Sequence, residues 1–350
     1  MAWMNVLNEN MTEADVENVL LCFPHQPDSC PRAHRFLALK VAVYVLLLAT
    51  ILMTVFGNLL VIITISHFKQ LHSPTNLIVL SLALVDCLLG CLVMPFSMVR
   101  WLERCWFLGD VFCKIHSSLD MTLSIVSILH LSLVSIDRYL AICEPLSYRM
   151  RVTNGTVAIC IAFIWLFSLA YSFGVILSEV NITGLENLLI LSSCVGNCVL
   201  IFNKENAFIL SFVLFFIPGT IMSSLYLKIF HVVRQQAKVM SERATVRRTS
   251  CEMNVQSSDH RERKAAKTLG IIMGIFLLCW LPFFIVTLSD PFRNFSTPLD
   301  VFDALVWFGY LNSTLNPLVY GFFYPRFQRA FKIIISKYVL HLGNASQLVL

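Results

Sequence analysis

Apolar residues fall in seven long blocks along the chain, at about 37–66, 74–99, 112–143, 154–177, 206–233, 268–289 and 301–323. Polar or turn-rich stretches separate them. Each block offers the roughly 20 mostly apolar residues that a helix needs to cross a bilayer at ~1.5 Å rise per residue. The pattern therefore predicts an all-α membrane protein, a seven-transmembrane helix bundle. Ser73 precedes Pro74 at the start of the second block, the arrangement of an N-cap followed by proline in the first helical turn. Pro95, Pro218, Pro282 and Pro317 lie inside blocks, where each frees a backbone carbonyl and kinks the helix. Beyond the seventh block, Phe327, Phe331 and Ile334 recur at i, i+4, i+7 with Arg326, Arg329 and Lys332 between them. That spacing predicts a short amphipathic helix on a membrane surface. The stretch from about Ser241 to Asp259 is polar and without periodicity, and reads as a flexible loop.

Composition narrows the class. Of 350 residues, 57% are hydrophobic and only 13% charged, against roughly 25% charged in soluble domains. The mean hydropathy of +0.74 points the same way. The net charge of +5 is modest, and the basic residues cluster between apolar blocks, which excludes a nucleic-acid signature. Lys69, Arg149, Arg151, Arg234, Lys238, Arg243, Arg261 and Lys264, with the tail residues Arg329 and Lys332, share one side of the bundle. That side is expected to be cytoplasmic, which places the N-terminus outside. The segment before Lys40 is polar, with no apolar run before a small-residue cleavage site, so the first block is expected to act as its own insertion signal. The organisation read from this is an extracellular tail (1–36), a seven-span domain (37–323) and an amphipathic helix with a cytoplasmic tail (324–350). The expected location is the cell membrane. Sequons at Asn10, Asn181 and Asn294 fall on the outer side, where glycosylation is available. Of the 12 cysteines, Cys22, Cys30, Cys105, Cys113, Cys194 and Cys198 share that side, an even set that implies disulfides.

Charged residues inside spans are functional suspects. Asp120 lies about two turns into the third block, on a face that continues through Ser124 and Ser127. An anion there wants a cation, and no Lys or Arg inside another span is evident, so an arriving ammonium is the expected partner. Trp280, Phe283 and Phe284 share one helix face of the sixth block, and Trp307 and Tyr310 recur at i, i+3 in the seventh. A carboxylate with aromatic faces makes a cage for a protonated amine, each cation–π contact contributing about 0.5–2 kcal/mol. The plainer reading is bundle packing around a hydrated acid. Asp86 lies deeper, with Ser127, Asn312, Ser313 and Asn316 able to supply oxygens. Such a set suits a small hard cation such as sodium, or else a protonated acid in a hydrogen-bonded network. No other cofactor is expected. Asp137-Arg138-Tyr139 ends the third block, and Glu262 stands across the bundle as a partner for Arg138 in a resting state.

Taken together, these residues resemble the rhodopsin-like G-protein-coupled receptors over almost the whole chain. The resemblance runs through Gly57-Asn58, Asp86, Asp137-Arg138-Tyr139, Trp165, Pro218 with Tyr226, Cys279-Trp280-Leu281-Pro282 and Asn316-Pro317-Leu318-Val319-Tyr320. Within that family, Asp120 matches the aminergic carboxylate. The stretches 312–317, 320–327, 67–76 and 264–270 look like those of trace amine-associated receptors. Arg326 and Glu144 depart from the usual Trp and Asp. At the fifth-span positions that read catechol hydroxyls in related receptors stand Leu210, Ser211 and Leu214. Only Ser211 can hydrogen-bond there, which favours less hydroxylated arylalkylamines, and no second acid stands there to anchor a diamine. The resemblance implies a Cys113–Cys198 bond and a second bond from the N-terminal tail, with Cys30 and Cys194 as its ends. Cys22 and Cys105 pair or stay free.

The activity implied is detection of arylethylamines such as phenethylamine or tyramine, with a heterotrimeric G protein of the stimulatory type as partner and cyclic AMP as output. Ligand at Asp120 is expected to shift a population. The sixth helix swings around Phe276 and Trp280, Arg138 leaves Glu262, and Tyr226 and Tyr320 turn inward beside Asn316-Pro317. Alternatives within the class are an olfactory receptor for volatile amines and a serotonin-type receptor. A retinal protein is not expected, because the seventh block holds no Lys to form a Schiff base and the resemblance puts Tyr310 at that place. A transporter would show inverted repeats, and none is evident. An enzyme would need a nucleophile with a base or a metal cluster, and in-span His130 has no such partner.

Overall fold

The computed structural model describes residues 20–33, 35–192, 194–246, 252–323 and 325–334, without the side chains of 189, 191–192, 237, 240–246, 252–269, 322–323 and 325–326. The long helices are α1 (Leu37–His67), α2 (Pro74–Leu92) continued by α3 (Met94–Glu103), α4 (Gly109–Cys143) and α6 (Asn154–Leu177). They are followed by α8 (Lys204–Phe208), which runs through a wide turn into α9 (Ile217–Val246), and by α10 (Glu252–Ser289) and α11 (Leu299–Phe323). Short helices α5 (Pro145–Arg151) and α7 (Glu186–Ser192) lie in connections, and α12 (Pro325–Ile334) closes the described chain. Among the described residues, six helical segments are long and apolar enough to cross a membrane. The seventh, α11, is more polar because Asn312, Ser313, Thr314 and Asn316 interrupt it, and all four are buried inside the bundle.

The helices close into a ring. α1 packs on α2, α2 on α4, α4 on both α6 and α9, α9 on α10, α10 on α11, and α11 back on α1. α4 is the axis, burying residues from His116 to Asp137 on several sides. The outward faces of α1 and α6 stay apolar, with Leu46, Phe56, Ile159, Phe163 and Leu166 exposed. A protein in water would hide such faces, whereas lipid solvates them and leaves the backbone bonded within each helix. The ring seam between α1 and α11 is held by polar contacts. Thr54 and Thr314 hydroxyls meet at 2.7 Å, and Asn58 Nδ2 donates to the Ser313 carbonyl at 3.1 Å. Gly57 lets the backbones approach, since a Cβ there would sit 2.9 Å from the Pro317 ring.

Prolines shape the elements. Ser73 caps α2 by accepting from the Asn76 N–H, with Pro74 in the first turn. Pro95 sits in the first turn of α3, which breaks the second span at Val93. Ahead of Pro218 the fifth span widens into a π-helix over Ile209–Phe216, a form that single turns adopt at functional sites.

Two expectations are corrected here. The stretch Ser241–Asp259 is not a long loop. Backbone is helical through Val246 and again from Glu252, and only 247–251 lies outside the described residues. No Gly or Pro occurs between Gly219 and Gly270, so helix propagates past the apolar blocks on propensity alone. The stretch shows no apolar periodicity, which is why the sequence reading missed the helix. Asn181 is buried and its Nδ2 donates to the Ile201 carbonyl at 2.8 Å, a geometry that leaves no room for a glycan. Asn294 is exposed, and Asn10 lies outside the described residues.

One end of the bundle is stapled three times, by Cys22–Cys105, Cys30–Cys194 and Cys113–Cys198. The pairing of Cys22, left open by the sequence, is thereby settled. The tail segment also exchanges backbone bonds with the segment before α8, Cys30 N–H donating to Val195 O at 2.9 Å and Val195 N–H to Asp28 O at 2.8 Å. Glu103 is buried beneath this segment and is satisfied by Arg32, by Lys40 at 2.8 Å and by Tyr44 at 2.7 Å. A buried carboxylate needs that many donors to stay charged.

Candidate ligand-binding site

A cavity of about 1040 Å³, including the space that opens to solvent, lies between the helices beneath the stapled end. Asp120 on α4 is on its wall. The Tyr310 hydroxyl donates to Asp120 Oδ2 at 2.8 Å, and the Ser124 hydroxyl, one turn along α4, lies beside the carboxylate. Its near partners are thus neutral hydroxyls, which orient the acid without neutralising it. Below, Trp280, Phe283 and Phe284 on α10 form a cluster with centroids 5.2–5.9 Å apart. Their edge-to-face packing fixes the ring planes. Phe284 stacks on Phe215 at 4.3 Å, which ties the cavity floor to the wide turn. Gly309 sits behind Trp280, where a Cβ would fall 2.8 Å from ring carbon Cζ3.

Asp120, Ser124, Trp280, Phe283, Phe284 and Tyr310 are therefore brought together on one cavity. Ser211 and Trp307 are not. Ser211 is fully buried with its hydroxyl turned to the Phe284 carbonyl at 3.5 Å, and Leu210 faces the cavity in its place. The extra residue per turn of the π-helix explains the changed face, and nothing in composition reveals it. Trp307 packs behind Tyr310 and on Trp101, at centroid distances of 5.5 and 6.4 Å.

Three charged residues on the wall were missed. Arg104, just past the end of α3, lines the cavity and pairs with Asp300 at 2.7 Å. Arg100 on α3 and Asp303 on α11 both face the cavity, with Arg100 Nη2 3.9 Å from Asp303 Oδ1. The expectation that no in-span cation approaches Asp120 is thus corrected, since Arg100 acts electrostatically on Asp120 as well as Asp303. Both sit near the ends of their spans, where a charge reads as ordinary interfacial decoration.

Deeper in the bundle, Asp86 is fully buried. It accepts from Asn316 Nδ2 at 2.8 Å and Ser127 Oγ at 3.4 Å, and Ser313 bonds it as well. Asn312, one turn from Asn316, is buried with neither carboxamide atom hydrogen-bonded among the described residues. At the far end, Asp137 is buried and pairs with Arg138, and it also accepts from Thr75 at 3.0 Å and Tyr148 at 2.8 Å. Arg138 in turn donates to Thr75 at 2.6 Å. The side chain of Glu262, the expected partner of Arg138, lies outside the described residues. Phe276 and Tyr320 are buried and Tyr226 is partly buried beside them. His130 is satisfied by the Val126 carbonyl and Ser81, both at 2.8 Å.

Fold and site define a class, a multi-pass helical membrane receptor with a polar-anchored cavity at one end. The profile of the seven-transmembrane receptors of the rhodopsin family matches residues 57–320. Among curated proteins the chain is similar to trace amine-associated receptor 2 of Mus musculus (48% identical, covering 90% of each chain). It is similar also to receptor 4 of Rattus norvegicus (46%, covering 90% of this chain and 91% of the relative). Receptor 1 of Homo sapiens is matched at 46%, over 88% of this chain and 91% of the relative. The chain belongs to the rhodopsin family of seven-transmembrane receptors and, within it, to the trace amine-associated receptors; it is a receptor and not an enzyme. The sequence expectation of a likeness to the first receptor of the group, from stretches 90–95, 112–116, 290–292 and 307–312, does not set that receptor apart, since receptors 1, 2 and 4 match at 46–48% identity over 88–90% of this chain.

Proposed function

We propose that this chain detects small protonated amines, arylethylamines such as phenethylamine or tyramine, through an ion pair with Asp120. The observation that carries this reading is a carboxylate on the wall of an aromatic-floored cavity, hydrogen-bonded to the neutral hydroxyl of Tyr310 with that of Ser124 beside it. An ammonium at Asp120 lies over the faces of Trp280 and Phe283, where cation–π attraction adds to the ion pair. The relatives' names, as trace amine-associated receptors, support the same ligand class. In this reading the stapled end and the N-terminus are outside the cell and α12 lies on the inner leaflet. A heterotrimeric G protein of the stimulatory type enters between α4, α9 and α10 when Arg138 is released. A ligand moves that equilibrium only by binding the open state more tightly.

Asp86, Ser127, Asn312, Ser313 and Asn316 make a set of hard oxygen donors that fits a sodium ion, and the unsatisfied Asn312 carboxamide supplies the free acceptor. On this reading, replacing choline by sodium raises the melting temperature of the parent and leaves Asp86→Asn unmoved; equal shifts in both would remove sodium from the account.

The functional test is cyclic AMP in cells expressing the chain, challenged with phenethylamine and tyramine beside Asp120→Ala. A response that vanishes in a variant still present at the surface supports the reading. An undiminished response in Asp120→Ala overturns it.

A further inference from the structure

The cavity is chemically lopsided. Toward α9 and α10 its wall is made by Leu210, Phe202, Phe284 and Trp280, where the one polar side-chain group is the unbonded indole N–H of Trp280, and the nearby Ser211 hydroxyl is spent on a backbone carbonyl. A ligand's second polar group therefore finds no charged partner there. Toward α3 and α11 the wall holds Arg100 and Asp303, with side chains only 15% and 16% exposed. Among the described residues no hydrogen bond is formed by either, and their approach of 3.9 Å is too long for one. A guanidinium carries five donors and a carboxylate about four acceptor positions. Leaving both so nearly buried and unbonded is costly, and a gap of this length is one that an inserted polar atom bridges.

We propose that Arg100 and Asp303 form a second polar subsite that takes a neutral hydroxyl at the far end of a monoamine ligand, the hydroxyl accepting from Arg100 and donating to Asp303. This rests on the ammonium of that ligand being held by Asp120. Charge balance selects the hydroxyl over the charged alternatives. Arg104, the other cation on the wall, is paired with Asp300 at 2.7 Å, and Asp120, Asp303 and Arg100 together carry one net negative charge, which one ammonium cancels. A second ammonium at Asp303 would leave a surplus positive charge beside Arg100. A ligand carboxylate at Arg100 would strip Asp303 of its counter-ion and leave the net negative charge in place. A hydroxyl adds no charge and meets both unmet needs, the donors of Arg100 and the acceptors of Asp303. The ligand's apolar part then spans from Asp120 toward the α3 and α11 wall, where Phe302 and Val306 line the cavity, with its polar end at Arg100 and Asp303.

The test compares matched straight-chain probes, propyl through octyl, as alkylamines, ω-amino alcohols, ω-amino acids and α,ω-diamines. Binding is read from ligand-induced thermal shifts of the full chain in nanodiscs. At one chain length the amino alcohol should bind about tenfold more tightly than the alkylamine, the scale of hydrogen bonds to charged groups. The ratio should fall toward one in Arg100→Met and also in the isosteric Asp303→Asn. Amino alcohol and alkylamine binding equally at every length would overturn the subsite while leaving the amine anchor standing. A preference for the diamine or the amino acid would overturn it too, in favour of Asp303 or Arg100 as a site for charge. Failure of every amine to bind would remove the Asp120 reading and this one with it.

Discussion

Tyr310 is fully buried, yet its hydroxyl reaches Asp120 from α11. It holds the carboxylate in one orientation and remains a neutral donor, so it positions the acid without competing for its charge. Tyr310→Phe keeps the ring's packing against Trp307 and deletes that bond. Amine affinity should drop about tenfold, as befits one hydrogen bond to a charged group, measured by thermal-shift titration with phenethylamine. An unchanged affinity would show that Asp120 is oriented by Ser124 alone. Residues of this kind differ in how readable they are. Asp120 and Asp86 stand out as lone acids inside apolar blocks. Arg100 and Asp303 do not, because charge at the end of a span is common, and only coordinates show that both point into the cavity. Ser211 reads as a contact by position, and the wide turn removes it from the wall.

At the scale of elements, the wide turn and Gly309 set where the cavity floor lies. The π-helix before Pro218 places Leu210 on the wall and Phe215 under Phe284. Gly309 admits the Trp280 ring against the backbone of α11. Gly309→Ala brings a methyl to 2.8 Å from a ring carbon that is hemmed in by Phe283 and Phe284. Overpacking of this sort should cost about 1–3 kcal/mol, seen as a lowered melting temperature in nanodiscs, and Gly274→Ala, with open space at its Cβ, serves as the control. Equal effects at both glycines would mean that helix propensity, and not the Trp280 contact, decides. Span positions were legible to within a few residues, since length and hydropathy are enforced by the bilayer. The π-turn and the extension of the fifth and sixth helices beyond the apolar blocks were not, because neither leaves a periodic trace in residue type.

The whole molecule is a ring of helices pinned at one end by three disulfides, with a cavity just beneath them. Cys22–Cys105 and Cys30–Cys194 both fasten the N-terminal segment, one to the chain after α3 and one to the chain before α8. Cys22→Ser combined with Cys105→Ser should lower stability by about 2–4 kcal/mol, the usual contribution of closing a long loop, with the melt of the purified chain as the readout. No loss at all would mean that Cys30–Cys194, the backbone bonds to Val195 and the Glu103 contacts already hold the segment. Beneath that cap, the polar interior descends from Asp120 through Asp86 to Asp137, each with bonded neighbours on other helices.

The central claim is the ion pair at Asp120, and direct binding tests it with no G protein involved. Radiolabelled phenethylamine is equilibrated with the purified chain in nanodiscs, parent beside Asp120→Asn, which keeps the shape and removes the charge. The account predicts saturable binding to the parent and a loss of about a hundredfold or more in the variant, in keeping with removal of one partner from a desolvated charge pair. Equal binding to a folded Asp120→Asn would contradict it and move the amine's anchor elsewhere in the cavity.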